Sequence, residues 1–140
     1  MSNEDNAQGS PVTGSEATTG GIRVEVRARY SPEHSDPAHS SWFFLYTIRI
    51  SNEGDGPVQL LRRHWIIVDA TGKTEEVRGD GVVGEQPVIG PGQSFEYTSG
   101  CPLGTPFGSM TGSYAMQREG GIEFDAEIAL FELVQPTAIH

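Results

Sequence analysis

Lysine is nearly absent from this chain. Lys73 stands alone beside eight arginines, and these nine basic residues face 19 acidic ones, for a net charge of −10 over 140 residues. That balance argues against a nucleic-acid partner, because neutralising phosphates takes clustered Lys and Arg. A cation, a basic protein surface or plain solubility stays open. Cysteine is reduced to Cys101, so no intrachain disulfide forms, which fits a reducing compartment. No apolar run approaches the ~20 residues that cross a bilayer. The first residues lack the basic start and apolar stretch of a signal peptide. A cytoplasmic location with no membrane partner is therefore expected. Sustained helix-forming stretches are also missing: 18 glycines and nine prolines point to turns and short strands.

What is present suffices for one domain. The apolar fraction is 36 %, with two Trp, four Tyr and six Phe to build a modest core. Residues 1–21 hold only Val12 and two alanines as apolar relief, a composition that does not offset its ordering entropy, and they predict a flexible acidic tail. The domain is expected over 22–133, followed by a C-terminal tail over 134–140.

From 22 to 30, Ile22, Val24, Val26, Ala28 and Tyr30 alternate with Arg23, Glu25, Arg27 and Arg29, which reads as a strand with one wet face. Residues 31–41 form a polar loop broken by Pro32 and Pro37. Residues 42–51 are apolar on both faces for most of their length and predict a central strand. Further strands are expected over 58–70, 74–78, 94–98, 109–117 and 122–133, with Glu119-Gly120-Gly121 turning the last hairpin and 100–108 crossing between sheets. This predicts an all-β fold: an immunoglobulin-like or fibronectin type III-like sandwich of about seven antiparallel strands.

The run Arg78-Gly79-Asp80-Gly81-Val82-Val83-Gly84-Glu85-Gln86-Pro87 contains Gly-x-Gly-x-x-Gly. A dinucleotide site of that spacing needs a helix opening at the third glycine, to meet the phosphates with its free N–H groups. Glu85, Gln86, Pro87 and the following Gly90-Pro91-Gly92 do not support one. Two readings follow. Gly79, Gly81 and Gly84, with Arg78, build a backbone nest for a phosphate, or they supply positive φ to an inter-strand loop.

Other residues carry paired readings too. His34, Asp36 and His39 are acceptable ligands for a divalent transition metal, or parts of a solvated connector. Arg62 and Arg63 lie beside Trp65, a combination favoured at protein–protein contacts; the structural reading puts Trp65 in the core and pairs the arginines with carboxylates. Cys101 needs a base to act as a nucleophile, and burial is the simpler fate. The carboxylates Glu123, Asp125 and Glu127 share one strand face, which reads as the solvated one. No hydrolase, Walker, Cys-x-x-Cys or zinc-protease motif is found, so no catalytic residue and no cofactor is expected.

The blocks Gln59-Leu60-Leu61-Arg62-Arg63-His64-Trp65, the glycine run from Glu76 to Pro87, Pro91-Gly92-Gln93-Ser94-Phe95-Glu96-Tyr97-Thr98-Ser99-Gly100-Cys101-Pro102 and Gly112-Ser113-Tyr114 together resemble the ApaG family. The resemblance covers about 22–133. It implies a fibronectin type III-like sandwich, a link by name and phenotype to cobalt resistance and magnesium efflux, and a gene context in diadenosine tetraphosphate metabolism. Related domains in eukaryotic F-box and polymerase-interacting proteins look like protein-interaction modules. The function expected is a non-enzymatic binding module for a protein partner. The alternatives are phosphate, pyrophosphate or nucleotide binding at the glycine loop, and direct divalent-cation binding. Edge strands also make a homo-oligomer an expectation.

Overall fold

The computed structural model describes residues 12–136. Nine strands succeed one another in them: β1 (Thr13–Thr19), β2 (Ile22–Tyr30), β3 (Trp42–Asn52), β4 (Val58–Asp69), β5 (Thr74–Asp80), β6 (Val88–Ile89), β7 (Ser94–Leu103), β8 (Phe107–Arg118) and β9 (Glu123–Val134). Two 3-10 turns, Pro32–His34 and Pro37–His39, punctuate the loop before β3. No helix among the described residues is long and apolar enough to cross a membrane. One sheet runs β1-β2-β3-β7; the other runs β5-β4-β8-β9, with β6 added to β4. Each strand pair is antiparallel. The fold is thus the all-β sandwich expected. All seven expected strands are present, joined by β1 and the two-residue β6.

Alternation builds the core. Ile22, Val24, Val26, Ala28 and Tyr30 of β2 point inward, as do Phe44, Tyr46, Ile48 and Ile50 of β3. Sheet two contributes Leu60, Trp65, Met110, Tyr114, Met116, Ile128, Phe131 and Leu133. The Trp65 ring meets Tyr46, Tyr114 and Phe131 edgewise, with centroids 5.4, 6.4 and 6.0 Å apart. Such tilted contacts favour the ring quadrupoles. The Tyr97 and Tyr114 hydroxyls bond to each other inside this core, and burial raises both phenols above their ordinary range. No buried side-chain polar atom among the described residues lacks a hydrogen-bond partner.

The tail expected over 1–21 is corrected for most of its described part. Residues 1–11 lie outside the described residues, but Thr13–Thr19 is a strand paired with β2 along its whole length, from Thr13 opposite Ala28 to Thr19 opposite Ile22. It is held by hydroxyls more than by apolar burial. Thr13 Oγ1 donates to the Glu132 carbonyl, Ser15 Oγ to the Ala129 carbonyl at 2.6 Å, and Thr19 Oγ1 accepts from the Glu127 amide at 3.1 Å. The Gly20-Gly21 turn before β2 has positive φ at both positions, 57° and 84°, the signature of a tight two-residue hairpin.

Three smaller corrections follow. Gly100–Leu103, expected as part of a crossing loop, continues β7 against β3, which confines the crossing to residues 104–106. Pro102 is tolerated there because β7 is an edge strand. In β9, the residues between Ile128 and Phe131 face only Thr111, a bulge that flips the alternation; Leu130 turns to solvent while Phe131 and Leu133 turn in. Within the expected tail over 134–140, Val134 ends β9 and Gln135 is fixed: its amide donates to the Pro106 carbonyl and its side chain accepts from Trp42 Nε1 at 3.0 Å. Residues 137–140 lie outside the described residues.

Candidate functional site

Register assembles the site on the outer face of sheet two. β4 carries a bulge between Leu60 and Arg62. The bulge shifts the phase of the strand so that Trp65 points inward while Arg62 and His64 point outward. Opposed residues on neighbouring strands share a face. Asp80, Arg62, Ala115 and Asp125 therefore form one row across β5, β4, β8 and β9, and Arg78, His64 and Ser113 form the next. Together they line an open groove of about 370 Å³.

The groove is charged with both signs. Arg62 Nη2 pairs with Glu123 Oε1 at 2.7 Å. Glu76 Oε1 takes Arg78 Nη2 at 2.9 Å and His64 Nε2 at 3.1 Å. Those two partners, Arg78 foremost, hold the Glu76 carboxyl below its ordinary range. Asp80 and Asp125 carry no ion pair among the described residues. His64 opposes Ser113, yet its Nε2 is engaged by Glu76 and the Ser113 hydroxyl makes no bond to it.

Arg63 has a different task from Arg62. It opposes Gly79 on one side and the buried Tyr114 on the other. Its guanidinium occupies the space where a side chain at position 79 would lie: a Cβ there would come within 2.7 Å of Arg63 Nη2. From that slot Nη1 donates to the Asp80 and Gly81 carbonyls, each at 2.9 Å. The arginine thus buttresses the glycine loop from beneath, the structural one of its two expected readings, with backbone carbonyls in place of the expected carboxylates.

The loop itself is a hairpin. Val82 and Glu85 exchange both backbone hydrogen bonds, at 2.8 and 2.9 Å, across Val83 and Gly84, whose φ values are 42° and 81°. The Gly81 amide donates to the Leu61 carbonyl at 2.8 Å. A Cβ on Gly81 would lie 2.3 Å from the Glu85 carbonyl oxygen, so the glycine is required for this close approach. Three amides that a phosphate nest would use, those of Gly81, Val82 and Glu85, are already committed within the protein. Those of Val83 and Gly84 donate no hydrogen bond among the described residues. Of the residues expected to serve a phosphate, Arg78 and Gly79 lie in β5, and only Gly81 and Gly84 lie in the turn.

The three metal-ligand candidates do not converge. His34 Nδ1 bonds to Ser31 Oγ at 2.7 Å and its ring lies 5.5 Å from that of Phe43. His39 Nδ1 pairs with Asp36 Oδ2 at 2.7 Å. No cluster of three or more His, Cys, Asp or Glu side chains able to hold a metal ion occurs among the described residues. The physical reason is the pair of 3-10 turns, which sends the two imidazoles to separate partners. Cys101 is buried, and burial, followed by the charge of Glu75, pushes its thiol up to about 12.

These features define a two-sheet β-sandwich domain with a mixed-charge groove on one outer face. The ApaG domain family model matches residues 32–118. Protein ApaG of Anaeromyxobacter sp. strain K is 55 % identical over 126 residues, 90 % of this chain and 99 % of that protein. Protein ApaG of Bordetella pertussis is 51 % identical over 119 residues, 85 % and 91 % of the two chains. A crystal structure from Bordetella pertussis, described as an ApaA protein, is 52 % identical and superposes with a TM-score of 0.80 over 82 % of this chain and 94 % of that one. The chain belongs to the ApaG domain family.

Proposed function

We propose that this ApaG-domain chain is a non-enzymatic module that binds a protein partner through the outer face of sheet two. The observation that supports this reading is the groove of about 370 Å³ lined by Arg62, His64, Arg78, Asp80 and Asp125 on the outer face of the sheet. A face with interspersed charges of both signs recognises a complementary protein surface by register as much as by net charge. Cys101 is not a nucleophile suited to covalent chemistry, since it is buried and burial pushes its thiol up to about 12. In this reading, a cobalt or magnesium phenotype of the kind the family suggests acts through the partner rather than through a metal bound to His34, Asp36 and His39. The test compares affinity capture by the wild type with capture by an Arg62→Glu/Arg78→Glu variant of unchanged circular dichroism. A partner retained by the wild type and released by the variant supports the reading. A partner held equally by both removes it.

A second reading, an anion such as pyrophosphate at the hairpin, rests on the uncommitted amides of Val83 and Gly84. Saturable amide shifts at those two residues on titration with pyrophosphate favour it; no shift at millimolar ligand ends it.

A further inference from the structure

The two sheets have four lateral edges, and they are finished differently. β1 and β9 lie side by side, with the hydroxyls of Thr13, Ser15 and Thr19 bridging them. β7 carries Pro102 within its length, and the Phe43 ring lies over Gly100, where a Cβ would come within 2.2 Å of it. Both are devices that blunt an edge. β5 has neither, and only the charges of Glu75, Glu76, Arg78 and Asp80 guard it. It is seven residues long, without proline, bulge or lysine, and it pairs on one side only, with β4. Five of its residues are exposed, and only Val77 and Gly79 are partly buried. A regular strand with a free row of backbone N–H and C=O groups is a template for another strand.

We propose that β5 pairs antiparallel with β5 of a second copy of this chain, about a two-fold axis at Val77. Strand overlap and residue pattern together select this register, since centring on Thr74, Gly79 or Asp80 opposes at most three residues of β5 to its copy. Two identical sandwiches that extend one sheet with their inner faces on the same side must be centred on a residue rather than between two. Centring on Glu75 or Glu76 opposes that glutamate to its own copy. Centring on Arg78 opposes arginine to arginine and Glu76 to Asp80. Centring on Val77 opposes Val77 to itself, Glu76 to Arg78, Glu75 to Gly79 and Thr74 to Asp80. Of these four it alone places no like charges opposite one another, and it sets two Glu–Arg pairs across the axis. Within each chain Arg78 already reaches Glu76 at 2.9 Å on the outer face, so the four side chains close into one ring of alternating sign. Pairing also joins the groove of one copy to that of the other across the new continuous sheet.

Sedimentation velocity of the full chain, from about 1 µM to about 1 mM, reads the proposal. The wild type moves from 15.1 kDa toward twice that mass as concentration rises. Glu76→Arg and Arg78→Glu each place two like-charged pairs across the axis and weaken the dimer by about tenfold or more. The Glu76→Arg chain carries arginine at both positions and the Arg78→Glu chain carries glutamate at both. A mixture of the two therefore restores opposite signs in both pairs and dimerises again, as does the double variant. A wild type that stays monomeric throughout overturns the proposal. So do a dimer indifferent to both single reversals and a mixture that does not recover. If a reversal impairs folding, amide exchange of the wild type decides: β5 amides slow with rising concentration, and concentration-independent exchange there overturns it. Because only this chain is present, the outcome is independent of whether a partner protein binds the groove.

Discussion

One side of this sandwich is closed and the other is open, although both are built from ordinary antiparallel strands. On the closed side, β1 offers almost no apolar side chain, yet Thr13, Ser15 and Thr19 reach backbone groups of β9 and tie one sheet to the other. On the open side, β5 ends its sheet with Glu75, Glu76, Arg78 and Asp80 in water, and its last residues lead into a hairpin braced by Arg63. Hydroxyls bonded across the seam between the two sheets close an edge, because breaking them leaves a backbone carbonyl or amide without its partner. Charged side chains leave an edge soluble but selectable, because their pairing depends on register and salt.

The comparison breaks most completely if the closed side is removed. A chain beginning at Gly20 loses the β1–β2 ladder and the three hydroxyl bridges; we expect a loss on the order of 4 kcal/mol in urea unfolding. Next comes the brace of the open side. Arg63→Ala leaves the Asp80 and Gly81 carbonyls without their guanidinium donor and costs about 2 kcal/mol, whereas Arg62→Ala, half exposed in its pair with Glu123, costs less than about 1 kcal/mol. Equal losses for the two arginines, measured by chemical denaturation, contradict the division of labour. Ser15→Ala tests a single seam bond, at about 1 kcal/mol, and its effect persists in high salt. The smallest effect is titration at the open edge. Arg78 and His64 depress the folded Glu76 carboxyl, so its contribution is complete above the ordinary carboxylate range and is lost as pH falls through the lower folded value. The stability gap between wild type and Glu76→Gln should therefore close on acidification; a gap that widens contradicts the pairing.

Much of this was legible in the residues. The alternation of Ile22 to Tyr30, the two-faced apolarity from Trp42 onward and the glycine turns marked out the sheets, and the absence of a helix after Gly84 pointed to an inter-strand loop. What stayed hidden depended on pairing across long sequence distances. β1 is invisible to an apolar count because its inward residues are Thr13, Ser15, Ala17 and Thr19, whose hydroxyls are satisfied more than 100 residues away. The Gly20-Gly21 turn beside that small-residue alternation was the available signal. The difference between Arg62 and Arg63 rests on a bulge and on which strand lies alongside, so neighbouring letters offered no means of separating them. His34, Asp36 and His39 show the converse: closeness in sequence did not make closeness of ligating atoms.

The two tryptophans give the molecule separate optical reporters. Trp65 is sealed among aromatic rings at 3 % exposure. Trp42 sits at the partly buried start of β3, its indole nitrogen bonded to Gln135 near the chain's end. Burial predicts the emission of an apolar interior for Trp65 and of a wetter site for Trp42. Breaking the Trp42–Gln135 bond is expected to shift the red component alone, and the blue component to move only when the core itself opens.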